Sequence, residues 1–172
     1  WEPEEFLPAL ARVEEARNSG KWAAGYLSYE AGYLLDPALL SSMPEKRNAP
    51  LLCFGVFDGP AEPTDVADLN LDEPTNASIA NPRATWSRAK YTERFKRLHQ
   101  HLAQGDCYQG NLTFPVEASW EGDPLAIFGA LRQKQPVRHS AFIDLDGPVV
   151  LSRSPELFFQ VSRDRWIETL PM

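Results

Sequence analysis

Apolar positions along this chain recur first at helical and later at strand spacing. Phe6, Leu7, Leu10, Val13 and Ala16 fall on one stripe, with Glu4, Glu14 and Arg17 outside it and Gly20 beyond. That pattern predicts an amphipathic helix over residues 3–18. Trp22 to Tyr29 is aromatic and small, too short for a second helix, and reads as a strand in which Gly25 permits close backbone packing. Leu51 to Phe57 reads as a second, buried strand. Over 88–104, Tyr91, Phe95, Leu98 and Leu102 recur at helical intervals, with Ser87 placed to cap the start and Gly105 to end the helix left-handed. Tyr108 to Trp120 has extended character broken at Pro115, and Asp123-Pro124 opens a further helix carrying Leu125, Ile127, Phe128 and Leu131. The last third is β: 141–145 turns at Asp146-Gly147 into 149–151, followed by strands at 156–161 and 166–170. Strands joined by hairpins, with helices between them, predict an α+β fold with largely antiparallel sheets and packed helices.

Composition narrows this picture. Length (172 residues), an apolar fraction of 43% and a charged fraction of 24% describe a globular chain rather than a disordered one. Seventeen basic against twenty-four acidic residues give a net charge of −7, which argues against a nucleic-acid partner. The apolar run at 51–57 falls far short of the ~20 residues of a membrane span. Cys53 and Cys107 stand apart with no metal-ligand spacing, and read as two small apolar side chains in a reducing, cytoplasmic setting. The prolines crowd between Pro44 and Pro82, among Asp58, Asp65, Asp68, Asp72 and Glu73, predicting a surface connection at about 58–82.

The familiar phosphate-loop, dinucleotide, zinc-protease and nucleophile-elbow motifs are absent from the sequence. Three stretches remain as candidates for chemistry. In 105–113, Gln109 and Asn111 are polar side chains at an element boundary, a position equally open to simple turn capping. In 152–159, Pro155 holds Ser154 extended, and alternation puts Glu156 on one face with Phe158 and Gln160. A carboxylate beside an aromatic on an inward face is desolvated, its pKa rises, and it becomes a general acid. The competing reading is a strand-edge glutamate in water or paired with Arg153 or Arg165. The glycine–aromatic mixture at 22–33 reads as core packing or as the wall of an aromatic ligand site. His99 and His101, two apart on a helix, point away from each other and read as solvated surface.

Taken together, Gly25–Tyr33, Gly105–Thr113, Leu151–Phe158 and Thr169–Met172 stand in an order and spacing that resembles the chorismate-utilising enzymes, most nearly aminodeoxychorismate synthase component I. The resemblance runs from about residue 20 to the end. It implies amination of chorismate to 4-amino-4-deoxychorismate on the route to 4-aminobenzoate and folate. Ammonia would come from a glutamine amidotransferase partner, and Mg²⁺ would bind the substrate. It also implies that Glu156, in the family's S-P-E motif, is the catalytic acid/base, and that Gln109, Asn111, Ser154 and Ser140 belong to a substrate or aromatic-ligand pocket. Two departures stand out: Gly110 replaces a β-branched residue, and Leu170 replaces an arginine. The family's nucleophilic lysine would follow Met172 directly, and its Mg²⁺-binding glutamates lie further on, so no metal ligand is expected within 1–172. The chain therefore reads as the N-terminal part of a chorismate-binding catalytic domain and is expected to be inactive alone. Two alternatives stay open: anthranilate synthase component I, and a non-catalytic half-domain that binds an aromatic ligand.

Overall fold

A computed structural model describes residues 1–62 and 77–171. The chain divides into two units, Trp1–Pro74 with Phe128–Met172 and Thr75–Ile127. It is α+β, and among the described residues its strands form four two-stranded antiparallel sheets.

The first unit opens with α1 (Pro3–Asn18), whose proline at the first helical position lacks a donor that would be unpaired anyway. Phe6 is its buried anchor, and Leu10, Val13 and Ala16 are half-buried, but Leu7 points to solvent. The buried stripe is thus narrower than the sequence pattern drew it. Strand β1 (Trp22–Leu27) pairs with β2 (Leu52–Phe57), Gly25 lying opposite Phe54. A Cβ at position 25 would stand 2.0 Å from the Cys53 carbonyl oxygen, so the expected close approach is present. The predicted strand stops at Leu27 rather than Tyr29, because the chain turns there into a 3-10 helix over Tyr29–Leu34, then another over Pro37–Ser42. Phe6, Ala31 and Leu51 form the core cluster, with Leu10, Leu34, Met43 and Leu52 packed on it. Burying a side chain such as Phe6 or Leu51 stabilises by about 1.5–3 kcal/mol. Strand β2 is buried only in its first half; Val56 and Phe57 are exposed.

The second unit holds β3 (Ser78–Ala84), α2 (Arg88–Gln104) and β4 (Val116–Glu121). Helix α2 has the predicted limits: Ser87 Oγ accepts from the Lys90 N–H, and Gly105 closes it at φ 82°. The connection foreseen at about 58–82 lies largely outside the described residues, but its last five positions belong to β3. Pro82 is accommodated there because the ladder slips between Ala80 and Arg83, with Asn81 at φ 53°. The extended character expected from Tyr108 onward becomes a paired strand only past Pro115.

Helix α3 (Pro124–Lys134) starts where Asp123 accepts from the Leu125 N–H. The β5 (His139–Ile143) and β6 (Val150–Ser154) hairpin follows, then β7 (Leu157–Val161) with β8 (Ile167–Leu170). The β2 strand meets the β5–β6 turn: Cys53 Sγ lies 3.9 Å from the Asp146 carbonyl. Both cysteines are free thiols.

Candidate functional site

Glu156 is held by a short turn between two hairpins. The Ser154 hydroxyl, at the end of β6, accepts from the Glu156 N–H (3.1 Å) and donates to its carbonyl (3.0 Å), bracketing Pro155. Proline removes one backbone freedom and the hydroxyl closes the turn, so the backbone at Glu156 is fixed and with it the point from which its side chain leaves the chain. It sits just outside β7, and it is exposed, as is Phe158 at 84%. The inward, desolvated face expected from alternation is therefore not formed by these residues. Among the described residues Glu156 enters no ion pair.

Arg153, the other partner considered for Glu156, is engaged elsewhere. Its Nη2 donates to the carbonyl of Arg132 (3.4 Å), in the last turn of α3, and to that of Gln135, the residue after the helix. Its guanidinium carbon stands 5.6 Å from the centre of the Phe128 ring, which in turn packs on Phe142. Carbonyls at a helix C-terminus lack partners within the helix and carry its negative end, so a cation placed there is favourable by about 0.3–1 kcal/mol. Sequence reasoning missed this role, since nothing in the order of residues marks which carbonyls an arginine will reach.

The register of the β5–β6 hairpin separates two predicted pocket residues. His139 faces Ser154 and Ser140 faces Arg153. Paired residues share a face and neighbours alternate, so Ser140 and Ser154 project from opposite faces and do not line one pocket. The signal was available: a turn centred on Asp146-Gly147 gives this register, although the paired strands stop at Ile143 and resume at Val150. Gln109 and Asn111 belong to the second unit, in irregular chain beyond α2, and both are exposed. Gly110 between them has a packing reason, because a Cβ there would meet Leu98 Cδ1 at 2.8 Å. His101, at the end of the same helix, pairs its Nδ1 with Asp106 at 2.8 Å, while His99 lies exposed against Phe95.

A cleft of about 310 Å³ opens between α1 and β2, walled by Phe6, Leu51, Cys53 and Phe54 and edged by Arg12 and Asp146. None of the predicted site residues lines it. Nearby, the Tyr26 and Ser28 hydroxyls are buried without a hydrogen-bond partner, as is His139 Nε2. Desolvation, with a smaller contribution from Cys53, holds the Tyr26 phenol above its ordinary pKa. In the glycine–aromatic stretch Tyr29 is fully outward and meets Tyr33 edge-on at 5.9 Å. No group of three or more His, Cys, Asp or Glu side chains able to hold a metal comes together among the described residues. No helix among them is long and apolar enough to cross a membrane.

Comparison with known proteins decides the family. The family model described as chorismate binding enzyme matches residues 2–172. The chain belongs to the chorismate binding enzymes. It is 42% identical over 90 residues to aminodeoxychorismate synthase component 1 of Klebsiella aerogenes, covering 52% of this chain and 20% of that one. To the same component of Escherichia coli K12 it is 34% identical over an equal stretch. To anthranilate synthase component 1 of Methanothermobacter thermautotrophicus it is 27% identical, over 99% of this chain and 40% of the relative. The chain thus spans a fifth to two fifths of these chorismate binding relatives. No solved structure matches it significantly.

Proposed function

We propose that the chain works as the N-terminal part of an aminodeoxychorismate synthase component I, in an enzyme that aminates chorismate to 4-amino-4-deoxychorismate. The observation that carries this reading is the 42% identity over 90 residues to component 1 of that synthase, in a chain that matches the family from end to end. In this scheme Glu156 gives its proton to the hydroxyl leaving chorismate as the C–O bond breaks, and water departs. The Ser154-Pro155 turn fixes the backbone that carries the carboxylate. The surface that takes Glu156 out of water comes from the rest of a larger catalytic domain, as do the nucleophilic lysine and the donors for Mg²⁺, which supplies positive charge to the substrate carboxylate when bound. Ammonia comes from a glutamine amidotransferase partner. The chain alone is inactive.

A second reading, anthranilate synthase component I, has its own support in the relative that aligns with 99% of the chain. One experiment separates the two. The complete enzyme is incubated with chorismate, Mg²⁺ and ammonium, and the products are resolved by chromatography. Aminodeoxychorismate supports the first reading and anthranilate the second. In the same assay E156Q lowers turnover by about 10²–10⁴-fold, the usual contribution of general acid–base catalysis. Full turnover by E156Q removes Glu156 from the chemistry, and product from the 172-residue chain alone refutes its inactivity.

A further inference from the structure

We infer that Arg153 is a positioning residue for Glu156, coupling the backbone turn that carries that carboxylate to the C-terminal end of α3. The inference rests on the catalytic reading of Glu156 given above for its consequence, but not for its mechanics. Three observations meet at this arginine. Its Nη2 reaches two backbone carbonyls at the end of α3, that of Arg132 in its final turn and that of Gln135 just past it. Its guanidinium lies over the Phe128 ring of the same helix at 5.6 Å. And the next residue along the chain is Ser154, whose hydroxyl bridges both backbone groups of Glu156.

The physical link is short. Helix α3 ends at Lys134, and Pro136 has no N–H to offer the Arg132 carbonyl four residues back, which is left without a partner inside the helix. Arginine suits the position because its guanidinium lies over an aromatic ring while its N–H groups donate to carbonyls, which a compact ammonium does not reproduce. Between the anchored guanidinium and Glu156 lie only Ser154 and Pro155. Proline fixes one dihedral, and the serine hydroxyl, accepting and donating at once, holds the rest. The Arg153 side chain, held at its guanidinium by the carbonyls and at its Cα by the pairing with Ser140, thereby ties the α3 terminus to the S-P-E turn. Side chains that act in catalysis are held by partners of this kind, and a displacement of about 1 Å costs on the order of 10²-fold in rate.

The test uses R153M and R153K with two readouts. The first is amide hydrogen exchange followed by NMR on the chain itself. Loss of the clamp in R153M frees the turn, so the Glu156 N–H exchanges about tenfold faster while the β5–β6 ladder keeps its protection. The second is steady-state kinetics of the complete enzyme, where kcat falls about 10–100-fold with KM within threefold. R153K retains the charge but not the plane, and lies between wild type and R153M in both readouts. Uniform loss of protection over the whole hairpin would show that Arg153 merely supports the fold, and unchanged exchange at Glu156 would overturn the coupling. If the exchange result holds while E156Q keeps full turnover, the mechanical link stands and the catalytic reading fails. If E156Q is inactive and R153M matches wild type in both readouts, the reverse is true.

Discussion

A methyl group at position 25 has nowhere to go. The Cys53 carbonyl occupies the space a Cβ would need, so G25A must push β1 and β2 apart, at a cost of about 1–3 kcal/mol. At Gly32 no atom stands within 4 Å of the corresponding position, and G32A shifts the urea midpoint little, within about 0.5 kcal/mol. Tyr26 sets a pH dependence. Its phenol is held above the ordinary value, chiefly by desolvation, so the folded state binds its proton more tightly than the unfolded one. That stabilising difference is fully present below about pH 10 and is lost as pH rises through the folded-state value. The urea midpoint should therefore fall above about pH 10 in wild type and fall less in Y26F. Because the Tyr26 hydroxyl is buried without a partner, Y26F is expected to be neutral or more stable by about 1 kcal/mol at pH 7. At this scale the sequence was half informative. The close approach at Gly25 follows from a glycine among aromatics, whereas an orphaned hydroxyl depends on neighbours far away along the chain.

Helix α2, like α1 over Pro3–Asn18, is delimited by sequence alone. Its ends are set by local chemistry, a hydroxyl accepting from Lys90 at the start and a left-handed glycine at the finish. S87A and G105A should each cost about 1 kcal/mol, and the two should add, since seventeen residues hold the ends about 25 Å apart. Urea unfolding of the single and double variants checks both statements. The α+β class and the β5–β6 hairpin were legible for the same reason, a turn signal between alternating runs. Strand β3 was not, because Pro82 argues against a strand unless a bulge receives it, and the bulge is set by the β4 partner. The split between Ser140 and Ser154 needed only the parity of the pairing, whereas the exposure of Glu156 depends on what packs over the turn. Motif order placed that glutamate in the chain, but no local pattern reports its surroundings.

At the scale of the molecule, much apolar surface is left uncovered. On β7–β8 and its turn, Phe158, Phe159, Val161, Trp166 and Ile167 are all more than half exposed. A lone two-stranded ladder is marginal in water and presents unpaired edges. The chain should accordingly scatter light increasingly with concentration, and I167K should suppress this without changing the far-ultraviolet circular dichroism.

The first unit is also interrupted: its two segments flank the second unit in the sequence. Its contact between Cys53 and the Asp146 carbonyl joins residues 93 positions apart. At roughly 5–20 residues per second of synthesis, β2 therefore waits about 5–19 s at the ribosome for the turn it packs against. The enclosed unit, all of whose residues have by then emerged, is free to fold first. The core of Phe6, Ala31 and Leu51 lies wholly in the amino-terminal segment and can close at once, so what waits through that interval is only the side of β2 that meets the β5–β6 turn.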